Sequence, residues 1–259
     1  MQNLNGIRVV ITGGSQGLGL AMVEALVACG ANVTAIARDR ANLAAAERAG
    51  AAVIAGDATD ATLMNRVVSE EAPDVLILNA GARLPIKPID QQTWEEFSTV
   101  WNTDVKAGLV GIQAALNTPM KRGGRVLVMS SGASMVLAVP SITPESLRLS
   151  GGYTGAKRML WFMAHSANAV SRERDLGIHF QALVPCQLIP GTTLGHQVAA
   201  TCAAIEGISI DEYVMKRYGS ILRPAQIGEQ VAELLGDPRY MHGVAYGFRS
   251  GSDILPLDV

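Results

Sequence analysis

The chain has too few cysteines and histidines, too widely scattered, to build a disulfide framework or a metal centre. Cys29, Cys186 and Cys202 are its three cysteines; they lack metal-ligand spacing and read as small buried hydrophobes. His165, His179, His196 and His242 are equally dispersed, so none is assigned a catalytic or metal role. An excess of one charge is also missing. The formal net charge of -2 gives no basic field for nucleic acid, and no Lys/Arg run marks a membrane surface. No apolar run approaches the roughly 20 residues that cross a bilayer, and Met1 to Arg8 lacks signal-peptide architecture. These absences predict a soluble, cytoplasmic protein that acts on small molecules. With no repeat, low-complexity tract or linker, one domain over residues 1–259 is expected.

What the chain has in quantity is apolar residues, 49 % of the whole, enough to bury a large core in one α/β domain. Strand-like runs fall at Ile7 to Thr12, Asn32 to Ala37, Ala52 to Ala55, Val75 to Asn79, Arg125 to Ser130, Ile178 to Val184 and Val244 to Phe248, with helix-like stretches between them. That alternation predicts a parallel sheet with helices on both faces.

The first strand ends at Thr12 and runs into Gly13-Gly-Ser15-Gln16-Gly17-Leu18-Gly19. Its glycines let the backbone bend sharply and approach a ligand, and Leu20 to Cys29 follows at helical spacing. Free N–H groups and the positive end of a helix dipole then face the turn, a seat for phosphate or pyrophosphate. The spacing Gly-x-x-x-Gly-x-Gly differs from the usual dinucleotide fingerprint, but its strand, turn and helix context is present.

The second strand ends Ala37-Arg38 where an acidic residue would bind a free ribose hydroxyl; space and a guanidinium suit a 2′-phosphate instead, which points to NADP(H), with NAD(H) possible. Nearby Asp39 offers Arg38 another partner. Asp57, followed by Ala58, either accepts from an adenine amino group or caps the next helix. Strand four leads into Asn79-Ala80-Gly81, small residues where a cofactor needs room. Gln91 to Leu116 reads as one long helix, its apolar face of Trp94, Phe97 and Trp101 interrupted by Asn102. Ser131 follows strand five at the carboxyl edge, where ligands of open α/β sheets bind. A further helix opens at Gly151-Gly-Tyr153-Thr-Gly-Ala-Lys157 and runs to about Arg174, with Tyr153 and Lys157 four apart on one face.

In this order the glycine turn, Asp57, Asn79-Ala-Gly81, Asn102, Ser131 and Tyr153-x-x-x-Lys157 resemble the short-chain dehydrogenase/reductase family over essentially the whole chain. The resemblance implies a doubly wound, Rossmann-type three-layer sandwich with Tyr153 as acid/base, Lys157 beside it, Ser131 on the reacting oxygen and Asn102 in a proton relay. It assigns the cofactor to Gly13, Ser15, Gln16, Gly17, Leu18, Gly19, Arg38, Asp57, Ala58, Asn79, Ala80, Gly81, Tyr153, Lys157, Pro185 and Thr192. It also implies a homodimer or homotetramer paired through the helices around Asn102 and after Tyr153. Leu160, Trp161, Phe162, Met163 and Ala164 carry more apolar surface than one buried stripe needs, which suits an interface; a helix buried within one subunit explains them too.

The chemistry agrees with the groups present. Interconverting a carbonyl and a secondary alcohol needs a proton donor or base at the oxygen, and a phenol can serve as either. A phenol ionises near pH 10, so working near neutrality asks for about 3 units of lowering, or about 4 kcal/mol. A cation within about 4–6 Å supplies about 1 to 3 units, which gives Lys157 its task. A hydroxyl at Ser131 would hold the substrate oxygen and stabilise its developing charge.

Three departures from the family pattern stand out. The segment between Ser131 and Tyr153 is long, so Ser130, Ser134 and Ser141 compete with Ser131. Pro185-Cys186 stands where Pro-Gly is usual, with Pro190, Gly191 and Thr192 further on. Relatives of this type also differ in whether they accept one dinucleotide or both. The stretches at about 132–150 and 186–220 are expected to be substrate loops; Met135, Val136, Leu137, Leu188, Ile189 and Leu194 favour a neutral or apolar substrate there. The expected activity is NADP(H)-dependent carbonyl reduction or alcohol oxidation. The alternatives are an NAD-dependent dehydrogenase of the same family and a non-catalytic dinucleotide-binding sensor or scaffold.

Overall fold

Each of the seven strand-like runs forms a strand, with bounds displaced by one residue at most: β1 (Arg8–Thr12), β2 (Asn32–Ala37), β3 (Ala52–Ala55), β4 (Val75–Leu78), β5 (Arg125–Met129), β6 (His179–Pro185) and β7 (Ala245–Phe248). The computed structural model describes residues 2–83, 86–135, 144–251 and 253–257, apart from the side chains of 144–148 and 150. An eighth strand, β8 (Leu255–Pro256), pairs antiparallel with β7; two residues ending on proline carry no alternation to read. The sheet order is β3-β2-β1-β4-β5-β6-β7-β8, and the pairings from β3 to β7 are parallel.

Both faces of the sheet are covered, which is why its strands read as continuous apolar runs. Val9 and Ile11 of β1 pack with Met22 and Leu26 of α1 (Gly17–Ala28) and with Ile227 and Val231 of α9 (Pro224–Gly236). Val10 faces the opposite core, with Leu63 and Met64 of α3 (Ala61–Glu71), Ile112 of α5 (Lys106–Asn117) and Leu160 and Ala164 of α6 (Pro144–Glu173). A short α2 (Ala44–Arg48) precedes β3. The result is a doubly wound, Rossmann-type three-layer sandwich. After β1 the chain winds outward to β2 and β3, then returns to add β4 on the other side, which opens a crevice beyond the carboxyl ends of β1 and β4.

Two stretches differ from their sequence reading. Gln91 to Leu116 is not one helix: α4 (Trp94–Val100), opened by a capping box of Thr93 and Glu96, is joined to α5 by one π turn, Trp101–Val105. The wider turn shifts the helical phase. Trp94 is exposed, stacked on Phe97 with ring centroids 5.9 Å apart, and the residues α4 buries are Ser98 and Val100. The stretch at 186–220, read as a loop, is largely a helical hairpin of α7 (Thr193–Glu206) and α8 (Ile210–Tyr218). Thr192 caps the first, and Gly207 ends it in a left-handed conformation. Ser209 and Glu212 form a capping box for the second. The hairpin has its own apolar cluster of Leu149, Ala199, Cys202, Ala203, Tyr213 and Val214. Val136, Leu137 and Ser141 lie outside the described residues.

Helix α6 is broken at Gly151, whose φ of 46° and ψ of -132° suit glycine. A Cβ on Gly152 would overlap the Phe97 carbonyl oxygen. The glycine pair thus brings the start of the Tyr153 helix against the end of α4. Leu160, Trp161 and Ala164 are buried, whereas Phe162 is 63 % exposed. Among the described residues no helix is long and apolar enough to cross a membrane.

Candidate active site

The crevice at the sheet's carboxyl edge is a cavity of about 770 Å³, and it collects residues from every part of the sequence pattern but Asn102. Gly13, Ser15, Gln16, Gly17, Leu18 and Gly19 form one wall, with Arg38, Asp57, Ala58, Asn79, Ala80 and Gly81 beside them. Ser131, Tyr153, Lys157, Pro185 and Thr192 line it as well. Asn102 does not.

The glycine turn is built for close approach. Gly13 and Gly17 have φ of 70° and 55°, and a Cβ on Gly19 would overlap the Gly13 carbonyl oxygen. No side chain caps α1 at Gln16, so the first-turn amides have no side-chain acceptor there and suit an anion. Thr12 Oγ1 accepts from the amides of Asn79 (3.0 Å) and Ala80 (3.2 Å). The Asn79 side chain donates in return to the carbonyls of Thr12 and Gly13, 3.2 Å each. Asn79 therefore clamps the ends of β1 and β4 together besides lining the cavity. Thr192 reaches the same turn from the other side: a Cβ on Gly17 would lie 3.7 Å from its Cγ2.

At the end of β2, Asp39 is engaged by its own loop, accepting from the Ala41 amide (2.9 Å) and from Asn42 Nδ2 (3.2 Å). Among the described residues no ion pair is formed with Arg38. Asp57 accepts from the Thr59 amide at 2.8 Å. That bond, with Arg38 nearby, holds its carboxyl below the ordinary aspartate value against the opposing effect of burial. The cap of α3 is Asp60, which accepts from the Thr62 and Leu63 amides.

Of the four candidate serines three are described, and their hydrogen bonds separate them. Ser130 Oγ is buried and donates to the Lys157 carbonyl at 2.8 Å. Ser134 Oγ donates to the Ser131 carbonyl at 2.6 Å. Ser131 Oγ lines the cavity and accepts from the Ala133 amide at 3.3 Å, which leaves its own proton free to donate. Ser141 lies outside the described residues.

Lys157 Nζ lies 5.7 Å from the Tyr153 ring centre. It pairs with Asp104 Oδ2 at 3.0 Å and donates to the Met129 carbonyl at 3.3 Å. Burial works against its charge, but Asp104 and Tyr153 outweigh burial and hold the ammonium above the ordinary lysine value. Asn102, expected here from the sequence, is exposed, with its amide 3.4 Å from Ser98 Oγ. The π turn rotates it outward and carries Asp104 inward. One signal for Asp104 was present in the sequence: a carboxylate among Val100, Val105, Ala107 and Gly108 belongs to an otherwise apolar face, and buried acids are almost always paired.

The far end of the cavity is formed by Leu149, Leu188, Val198, Tyr213, Arg217 and Tyr218. Burial pushes the Tyr213 and Tyr218 phenols up, and likewise the Cys186 thiol.

The family model for short chain dehydrogenase matches residues 8–143. Oxidoreductase asL5 of Sarocladium schorii is 25 % identical over 90 % of both chains. The 3-dehydrosphinganine reductase TSC10B of Arabidopsis thaliana is 34 % identical over 68 % of this chain and 54 % of its own. A solved short-chain dehydrogenase/reductase from Brucella melitensis, titled glucose/ribitol dehydrogenase, matches with a TM-score of 0.77 over 96 % of this chain and 98 % of that one, at 20 % identity. The chain belongs to the short-chain dehydrogenase family. The family is one of oxidoreductases that use an NAD(P) dinucleotide with a small-molecule substrate.

Proposed function

We propose that this chain is an NADP(H)-dependent oxidoreductase that interconverts a carbonyl and a secondary alcohol, with Tyr153 as general acid/base. The observation that carries the reading is one cavity that joins Tyr153, Lys157 and Ser131 to an uncapped glycine turn. The cradle fits a dinucleotide: side chains are excluded at Gly13 and Gly19, the α1 N-terminus is open to a pyrophosphate, and Arg38, in no ion pair among the described residues, suits a 2′-phosphate. Ser15, Gln16, Leu18, Asp57, Ala58, Asn79, Ala80, Pro185 and Thr192 complete its walls.

When bound, the nicotinamide supplies or takes up the hydride. The protein handles the proton. Ser131 donates a hydrogen bond to the substrate oxygen and holds it toward Tyr153, whose hydroxyl gives its proton to that oxygen in reduction and recovers it in oxidation. Lys157 fixes charge beside the phenol. The apolar residues around Leu149, Leu188 and Val198 suit a neutral or apolar carbon skeleton. The relative named 3-dehydrosphinganine reductase supports the reductive reading. The chain acts as one dinucleotide-binding domain in the cytoplasm and assembles as a homodimer or homotetramer, with exposed Phe162 and Leu109 offering apolar surface for the contact.

The test is a titration with NADPH and NADH, followed by turnover with a panel of ketones and secondary alcohols. NADPH is expected to bind more tightly than NADH, and Tyr153→Phe to keep that binding while losing nearly all turnover. Turnover retained in Tyr153→Phe sinks the assignment. Tight dinucleotide binding with no turnover of any panel member favours a binding protein without catalysis.

A further inference from the structure

Resting on the reading above, we propose that Asp104 is a positioning residue of the reaction: as the fixed counter-ion of Lys157 it sets the site for proton donation from Tyr153, and so for carbonyl reduction.

The geometry asks for a carboxylate at this position. Two donors converge on it from different elements, Lys157 Nζ on Oδ2 at 3.0 Å and the Ala82 amide on Oδ1 at 2.7 Å. An amide of the same shape offers one acceptor oxygen and two donors, so asparagine would leave one partner facing a donor. The Asp104 and Lys157 side chains are 2 % and 7 % exposed, which keeps salt and water from loosening the pair. The bond to Ala82 also ties α6, through Lys157, to the loop of Gly81 and Ala82 on the cavity wall.

Charge carries the functional consequence. A lone ammonium beside a phenol favours the phenolate, the form that accepts a proton in alcohol oxidation. An ammonium paired with a carboxylate presents a dipole, and much of its field at the phenol is offset. Tyr153 then stands as a donor in the resting site. Among the described residues the neighbouring groups add no second anion there. Arg158, on the same helix, donates to the Ser134 carbonyl at 3.4 Å and stacks over Trp161. Arg83, Arg217 and Arg249 are permanent cations on the same cavity. Burial keeps the Cys186 thiol and the Tyr213 and Tyr218 phenols neutral at neutral pH. Asp39 and Asp57 follow β2 and β3 at the other end.

The experiment uses the full chain with NADPH and a ketone, and with NADP+ and the matching alcohol, across the alkaline pH range. Reduction should fall and oxidation rise at high pH, both reporting the same group. In Asp104→Asn both limbs should move together to lower pH by about one unit, so oxidation at a fixed pH on the rise gains about tenfold. Asp104→Glu, which keeps the charge, should leave the limbs nearer the wild type. NADPH binding identifies folded variants, and Asp104→Ser replaces Asp104→Asn if the latter does not fold. Limbs that stay in place while both rates fall equally overturn the proposal and leave Asp104 a structural residue. A wild type inert in both directions, or an active Tyr153→Phe, removes the underlying reading and this inference with it.

Discussion

The hydroxyl of Ser130 donates to the main-chain carbonyl of Lys157 at 2.8 Å, which ties the end of β5 to the helix that carries Tyr153. This bond occupies Ser130 structurally and leaves the neighbouring Ser131 facing the cavity. Ser131→Ala should keep dinucleotide affinity and lower kcat by about 10² to 10³-fold, the scale of losing a hydrogen-bond donor to the reacting oxygen. Ser130→Ala should instead cost about 0.5 to 1.5 kcal/mol of stability, because a buried hydrogen bond is lost. Denaturant melts beside steady-state kinetics separate the two; a larger kcat loss in Ser130→Ala would reverse the assignment.

Gly19→Ala places a methyl group on the Gly13 carbonyl. Backbone atoms on both sides cannot yield as a flexible side chain can, so the turn must shift. The expected cost is about 1 to 3 kcal/mol of stability, together with a loss of dinucleotide affinity that NADPH fluorescence would report. Gly207→Ala, where a Cβ meets nothing within 4 Å but φ is 68°, is a useful control: it should lose stability through backbone strain and keep the affinity.

Arg38 is expected to decide between the dinucleotides. Arg38→Asp removes the guanidinium and places a carboxylate beside the site, so NADPH affinity should fall by tenfold or more, while NADH affinity holds or improves. Equal losses for both cofactors would show that Arg38 does not read the phosphate.

The Asp104–Lys157 pair predicts a strong coupling and an alkaline edge to stability. Removing either partner alone, as in Asp104→Ala or Lys157→Met, should cost about 3 to 5 kcal/mol, since the other is left as an unpaired buried charge. The double variant should cost clearly less than the sum. Because the folded protein holds the Lys157 proton more tightly than the unfolded chain does, the stabilisation is complete below the unfolded lysine value of about 10.4 and is lost as pH rises through the higher folded one. Above about pH 10.4 the melting temperature of the wild type should therefore fall toward that of the double variant. A gap that stays constant over that window would contradict the linkage.

The sequence by itself determined the strands, the glycine turn between β1 and α1, and the shared helix face of Tyr153 and Lys157. These are local properties: apolar runs buried on both faces, glycines where side chains would overlap backbone, and a spacing of four on a helix. The tertiary structure alone decided which polar residues reach the cavity. Asn102 and Asp104 stand two apart in one helical pattern, and only the π turn between α4 and α5 turns the first to solvent and the second to Lys157. Ser130 and Ser131 are adjacent and alike; the carbonyl that claims Ser130 comes from Lys157, distant in sequence. Asp39 was equally open as a partner for Arg38 until its own loop engaged it. In each case the deciding partner lies on another segment or depends on a local turn, and side-chain periodicity carries no record of it.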